Sequence, residues 1–382
     1  MTFFIKYNHF GRCIFVKKFQ MKESDFLPSE YSREITSGQT GWSAPSNIAL
    51  VKYWGKKPGQ VPANPSLSFT LSACTTNTHV GFEKKASADI SFDILLDGTP
   101  RPDFAPKIHK FFELTKAYLP FITGYHFTID THNTFPHSSG IASSASGMAA
   151  LALNMMSIEK ILQPEMTHDH FLQKASFLAR LGSGSACRSI AGSAVAWGKH
   201  DEIPDSNDLT GVDCSDFLHP VFHGYKDAIL LVDRGEKQVS STVGHDLMHG
   251  HPFASERFAQ AHQNITQLKR ALMAGDLENF IRITESEALT LHAMMMTSNP
   301  YFILMKPNTL EIINNIWSFR RASNIPVCFT LDAGANVHML YPAAHDVKIQ
   351  EFIKDELVGH CQNGQYICDE LGTGAKQLVT GV

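Results

Sequence analysis

The chain has 382 residues, 43% of them hydrophobic and 18% charged, with a formal net charge of −4 at pH 7. That length provides for two domains with sizeable cores, and the weakly acidic balance excludes a basic field for nucleic acid or acidic lipid. A small anionic metabolite held by a local cluster of cations fits better, and no apolar run is long enough to span a bilayer.

The 7 cysteines are scattered, and Cys361 and Cys368 lack the spacing of a zinc site. An odd count without a secretory signal fits free thiols in a reducing cytoplasm. The first twenty residues, MTFFIKYNHFGRCIFVKKFQ, mix aromatics and lysines without a clean apolar core or cleavage site, so they do not read as a signal peptide. Met21 opens a more ordinary polar lead-in. Residues 1–20 are therefore expected to come from an upstream start codon, within an extension covering 1–40.

Ile48, Leu50, Val51 and Tyr53 predict a strand that ends among Lys52, Trp54, Gly55 and Lys56. Taken alone, such lysines are more readily solvated surface charges than ligands. A second strand is predicted from Leu67 to Leu71, and Ile90, Phe92, Ile94 and Leu96 alternate up to the hairpin pair Asp97-Gly98. Residues 104–118 predict a helix burying Ile108, Phe111, Phe112 and Leu114, with Lys107 and Lys110 toward water. Tyr125, Phe127 and Ile129 form a strand that feeds Phe135 to Leu151, FPHSSGIASSASGMAAL.

The chain is organised around that stretch. Small residues ahead of a helix let several backbone N–H groups converge on an anion, and the helix dipole adds partial positive charge. The hydroxyls of Ser143 and Ser144 suit phosphate oxygens or a magnesium ion. A triphosphate cradle follows, although an ordinary Ser/Gly helix start explains the same residues equally well. Neither a Walker loop nor a dinucleotide fingerprint is present.

A helix is predicted from His168 to Leu181, ending at Gly182, where GSGSACRS begins. Gly182 and Gly184 suit a helix end and a turn. Arg188 adds a planar fork for carboxylate or phosphate. After a strand from Ala194 to Trp197, residues 200–224 are rich in Asp, Asn, Pro and Gly and divide the chain into 41–224 and 225–382. The second part opens with a strand from Ala228 to Val232 and a hydroxyl cluster at Ser240, Ser241 and Thr242. Helices are expected through Phe258 to Leu272, from Asp276 past Leu289, and around Leu310 to Trp317 with Thr309 as N-cap. Val327, Phe329 and Leu331 alternate up to Asp332, and a strand returns from Val337 to Tyr341 after the turn Ala333-Gly334-Ala335-Asn336. A carboxylate at that tip would be held rigidly, as an acid-base group must be. Aspartate is also common in turns for backbone reasons. His245, His249 and His251 come nearest to metal spacing, but a solvated polar loop accounts for them better.

Together these stretches resemble the GHMP kinase superfamily and, within it, the diphosphomevalonate decarboxylases. The resemblance runs from Ser43 onward, on APSNIALVKYWGK (44–56), NPSLSFTL (64–71), GIASSASG (140–147), GSGSACRS (182–189), VSSTVG (239–244) and FTLDAGAN (329–336). It implies a two-domain α/β (α+β) fold. The N-terminal half would be of the ribosomal-protein-S5-domain-2-like type and bind the nucleotide; the C-terminal half would be ferredoxin-like, with the cleft between them. The implied reaction converts (R)-5-diphosphomevalonate and ATP to isopentenyl diphosphate, ADP, phosphate and carbon dioxide with Mg2+. A tertiary alcohol leaves poorly until it is phosphorylated, which explains the ATP.

Matched motif by motif, Asp332 would orient the 3-hydroxyl and help remove its proton, and Lys52 would neutralise charge at the transferred phosphoryl group. Arg188 would clamp the carboxylate and Asn47 help hold the reactive end. Tyr53, Lys56, Ser183, Ser185 and Ser241 would bind the substrate's diphosphate or its surroundings, with Lys107 standing for an arginine. Ser139, Gly140, Ala142, Ser143 and Ser144 would receive the ATP phosphates, with Ser144 on magnesium. A homodimer is implied. The chain departs from the family pattern at His137 to Ser139, at Ala335 in place of a proline, at His245 where methionine is frequent, and at Glu370 to Lys376. Its rivals are a kinase that stops after 3-phosphorylation, a decarboxylase of mono- or bisphosphorylated mevalonate, and a catalytically silent metabolite-binding regulator.

Overall fold

The computed structural model describes residues 3–7, 13–17, 21–136, 141–233 and 241–381, with backbone alone for 3–7, 13–17, 241, 242 and 380. Strands Phe3–Tyr7 and Cys13–Lys17 pair with each other. Beyond them Phe26 is buried and stacks on Phe177 at 4.4 Å, so the lead-in already contributes to the core.

The first large element, β1 (Ser37–Val51), begins inside the expected extension and stops before Lys52. Its partner β2 (Ser66–Lys84) is far longer than the predicted 67–71. Polar residues conceal the continuation. Thr76 and Thr78 face inward and are satisfied there, through Ser146 Oγ at 2.6 Å and Thr131 Oγ1 at 3.0 Å. Pro45 has no N–H to give the ladder, and the register shifts between Pro45 and Asn47. β3 (Ser91–Leu96) turns at Asp97-Gly98, both at positive φ as hairpin chemistry requires.

Helix α1 (Ala105–Thr115) buries Ile108, Phe111 and Phe112, but Leu114 lies 43% exposed and Thr115 takes its place in the core. Strand β4 (Tyr125–Asn133) runs parallel to β3 and antiparallel to β2. Helix α2 (Ser143–Leu162) is apolar almost all round, because the sheet, α1 and α3 (His168–Gly182) enclose it. Strand β5 (Ala194–Trp197) extends the sheet along the start of β2.

The C-terminal half is a four-stranded antiparallel sheet built on β6 (Lys226–Leu230). After the short helix α4 (Ser241–Asp246) come α5 (Ala254–Ala274), α6 (Leu277–Met296) and α7 (Pro307–Ser323). Strands β7 (Cys328–Thr330), β8 (Val337–Tyr341) and β9 (Tyr366–Glu370) complete the order β7-β8-β6-β9, that of a ferredoxin-like half. One sheet face carries Ala228, Leu230, Val337 and Met339 against α7. The other carries Ile229, Cys328 and Leu340 into a core shared with Ile48, Leu50 and Phe69 of the first half. A common core is what holds the site's two walls in register.

Two expectations need correcting. The last strand, β10 (Lys376–Gly381), leaves the C-terminal half and pairs with β1, so the division at 224/225 does not hold to the chain's end. Thr309 is not an N-cap; Lys306 precedes the helix, and Pro307 supplies the fixed φ of its first turn. The Thr309 hydroxyl instead accepts the Lys306 N–H at 3.1 Å and donates to Ala335 O at 2.7 Å. Among the described residues Cys74, Cys187, Cys214, Cys328, Cys361 and Cys368 are free thiols.

Candidate active site

A cavity of about 600 Å³ lies between the halves, walled by Lys52, Ser144 and Arg188 from the first and by His245, Leu291 and Asp332 from the second. Among its described lining residues Asp332 is the one carboxylate, facing the cations Lys52, Lys56, Lys107 and Arg188. The balance favours a highly anionic ligand.

Lys52 is the first residue past β1, and its main chain is tied at both ends. Its N–H donates to Glu287 Oε2 at 2.9 Å, and its carbonyl accepts from Asn64 Nδ2 at 2.9 Å. Glu287 is fully buried and also accepts from both Arg257 nitrogens, at 3.0 and 2.5 Å, and from Asn264 Nδ2 at 2.6 Å. This cluster, absent from the motif reading, fixes Lys52 across the domain boundary. The sequence signal was a glutamate on the apolar stripe Phe280, Ile283, Glu287, Leu291. With its backbone so held, Lys52 extends its Nζ to 3.1 Å from Asp332 Oδ1. Burial draws the Lys52 pKa below its ordinary value, opposed by the Asp332 charge.

Asp332 sits just past β7, with its side chain 29% exposed to the cavity. Its carbonyl accepts from Gly334 N at 2.7 Å and pairs with His292 Nε2 at 3.1 Å. His292 is buried, and desolvation lowers its pKa to about 4, so the neutral ring donates Nε2–H to that carbonyl. The Thr309 bond to Ala335 and a bond from Asp233 N to Asn336 Oδ1 at 2.9 Å secure the remainder of the turn. These ties supply the stiffness that a proline at 335 would have given.

Arg188 is buried in the 184–189 turn. Its Nε reaches Asn47 Oδ1 at 3.4 Å, and a guanidinium nitrogen donates to Ser66 Oγ. Asn47 also donates to Ser189 Oγ at 2.8 Å, lying behind Arg188 rather than on the cavity wall. No carboxylate forms an ion pair with Arg188 among the described residues, and burial lowers its pKa. A desolvated cation of that kind is stabilised by an arriving anion. A Cβ on Gly184 would stand 2.9 Å from both Tyr53 Oη and a Trp197 ring carbon, so only glycine lets this turn close on Tyr53.

Ser183, Ser185, Tyr53 and Lys56 share this end of the cavity, with Lys56 Nζ 3.7 Å from Asp246 Oδ1. At the other end, Ala142 takes a left-handed φ of 43° and caps α2 with no side chain, leaving first-turn N–H groups beside Ser143 and Ser144. Lys107 is exposed, as expected, and from that position donates to Ser144 Oγ at 2.9 Å across the cavity mouth. The nearby walls lower its pKa by partial desolvation, an effect that its open access to solvent weakens. Beyond it Ile94, Leu96, Phe104, Ile108 and Met148 form an apolar arm that the motif reading missed. Ser139, Gly140 and Ser240 lie outside the described residues, as does the Ser241 side chain.

The expectation of a solvated loop holds for His249, which is exposed, but not for the other two histidines. His245 and His251 are each only 8% exposed, and His251 is bonded to the carbonyl of Met294 at 3.1 Å. Neither belongs to a solvated loop, since each answers a backbone polar group that burial would leave unpaired. No group of three or more His, Cys, Asp or Glu residues able to hold a metal occurs among the described residues.

The diphosphomevalonate decarboxylase-like N-terminal domain matches residues 44–208, and the mevalonate 5-diphosphate decarboxylase C-terminal domain matches 228–377. A diphosphomevalonate decarboxylase of Ganoderma lucidum is 32% identical over 81% of this chain and 80% of its own length. The chain belongs to the diphosphomevalonate decarboxylase family. A relative of the same description from Saccharomyces cerevisiae is 31% identical, with the same coverage. Among solved structures, the mevalonate diphosphate decarboxylase of Staphylococcus aureus is 27% identical with a TM-score of 0.76, over 90% of this chain and 98% of that one. MDDEF in complex with MVAPP, AMPPCP and magnesium is 28% identical with a TM-score of 0.74, over 90% and 99%.

Proposed function

We infer that this chain catalyses the ATP-dependent decarboxylation of (R)-5-diphosphomevalonate to isopentenyl diphosphate, ADP, phosphate and carbon dioxide. The observation that carries the reading is the Lys52–Asp332 contact across the domain boundary, with Arg188 in the same cavity. The 3-hydroxyl oxygen attacks the γ-phosphorus, and the β–γ bridging bond breaks to release ADP. The C3–O bond then breaks with its electron pair leaving on phosphate. The C1–C2 pair becomes the C2–C3 double bond as carbon dioxide departs.

Asp332 accepts a hydrogen bond from the 3-hydroxyl and takes its proton. Lys52 stabilises charge on the transferred phosphoryl group, and Arg188, set by Asn47 and Ser66, holds the carboxylate. Tyr53, Lys56, Ser183, Ser185 and Ser241 hold the diphosphate end. The uncapped start of α2, with Ala142, Ser143 and Ser144 following Ser139 and Gly140, takes the ATP phosphates, and the apolar arm takes the base. Positioning and fixed charge suffice for phosphoryl transfer without a covalent nucleophile. No group of carboxylates able to cage a metal occurs among the described residues, which fits magnesium arriving on the nucleotide; the Ser144 hydroxyl would help hold it, and the ion would neutralise phosphate charge. The working form is a cytoplasmic homodimer of chains whose nucleotide and decarboxylase halves divide near residue 224, with β10 returned to the nucleotide half. The family resemblance supports this, and no described helix is long and apolar enough to cross a membrane.

The test supplies mevalonate, its 5-phosphate and its 5-diphosphate with ATP-magnesium and follows ADP and labelled carbon dioxide separately. Equal release of both from the diphosphate is expected. ADP without gas would make the chain a kinase, and neither product would make it a binder.

A further inference from the structure

His245 lines the cavity at the Lys56 end, in contact with two rings, each tilted by 38°, whose centroids lie 4.2 Å away for Tyr53 and 4.7 Å for Trp54. Gly244 allows this approach, since a Cβ there would fall 2.5 Å from the Trp54 ring. Its Nδ1 accepts the Gly55 N–H at 3.0 Å, so that nitrogen carries no proton. Desolvation, with Lys56 and Arg188 nearby, lowers its pKa to about 3 and keeps the ring neutral. The proton therefore resides on Nε2. No described residue is bonded to Nε2, and that atom is not among the buried polar atoms without a partner. A fixed, neutral N–H donor beside Lys56 and Arg188 has one evident use.

We propose that His245 is a substrate-binding residue whose Nε2–H donates to a phosphoryl oxygen of the substrate's 5-diphosphate. This rests on the proposed function and adds to it one further contact to the diphosphate. A neutral donor adds directional selectivity to a site already rich in cations, and binds without losing a proton or gaining one. Its tilted ring contacts with Tyr53 and Trp54 link phosphoryl binding to the segment that follows Lys52.

The test compares His245→Asn, whose Oδ1 can still accept the Gly55 N–H but whose amide cannot reach as far, with His245→Gln, which restores a distant donor. A hydrogen bond to a charged group predicts that His245→Asn raises KM for mevalonate 5-diphosphate about tenfold or more. KM for ATP should move less than twofold, and His245→Gln should recover most of the loss. Should His245→Asn not fold, His245→Met carries the same comparison against the glutamine variant. An unchanged KM for the diphosphate overturns the proposal. Equal losses in His245→Gln and in the variant whose side chain cannot reach the diphosphate, with KM for ATP rising in parallel, overturn it too by showing a packing role. Wild-type protein that releases neither ADP nor carbon dioxide would instead refute the underlying reading.

Discussion

Replacing Glu287 with glutamine tests whether the buried cluster behind Lys52 organises the site. The two carboxylate oxygens accept four donors, with Arg257 and Asn264 on Oε1 and Lys52 N and Arg257 on Oε2. Glutamine offers one acceptor oxygen and one NH2 group, so either orientation leaves two donors facing a donor. It also leaves the Arg257 charge, fully buried, without a counter-ion. Breaking such a pair costs about 3–5 kcal/mol. Urea unfolding at pH 7 should show a loss of that size. In the double variant Arg257→Leu, Glu287→Gln, a coupling of at least about 2 kcal/mol should return stability. Turnover of Glu287→Gln should also fall, because the Lys52 backbone is no longer pinned. A loss below about 1 kcal/mol, or additive single variants, would refute the argument.

Further outcomes follow from the same geometry. Arg188→Lys should lower kcat/KM for the diphosphate at least tenfold, about 1.4 kcal/mol, because an ammonium cannot engage Asn47 and Ser66 while presenting a second edge to the ligand; unchanged steady-state kinetics would count against the clamp. His292 has a native pKa of about 4, below its unfolded value of 6.5, so the unfolded chain binds the extra proton between these limits. Its contribution, about 3 kcal/mol by order of magnitude, is present above pH 6.5 and lost as pH falls toward 4. His292→Gln should flatten that acid-side decline in urea midpoints, and an identical slope would remove the histidine from it.

Much of the fold was legible because apolar periodicity survives wherever one face of an element is buried, as in α3, α5 and the strand before Asp332. It failed along β2, where inward threonines bond to neighbouring side chains and resemble a polar loop. The residues that touch the ligand cavity were accessible through short motifs near Lys52, Ser144, Arg188 and Asp332. Residues that hold those groups were not. Glu287, His292 and Ser66 act from other elements, across separations that no local pattern encodes. His245 was misjudged because its polarity suggested solvent, whereas Tyr53 and Trp54 enclose it.

The central claim is that one carboxylate at the β7–β8 turn works on the 3-hydroxyl while the nucleotide is bound elsewhere. Single-turnover release of carbon dioxide by Asp332→Asn, with ATP binding measured on the same sample, tests it most directly. The account predicts a loss of at least about a thousandfold with nucleotide affinity nearly unchanged. Near-normal release of carbon dioxide would contradict it.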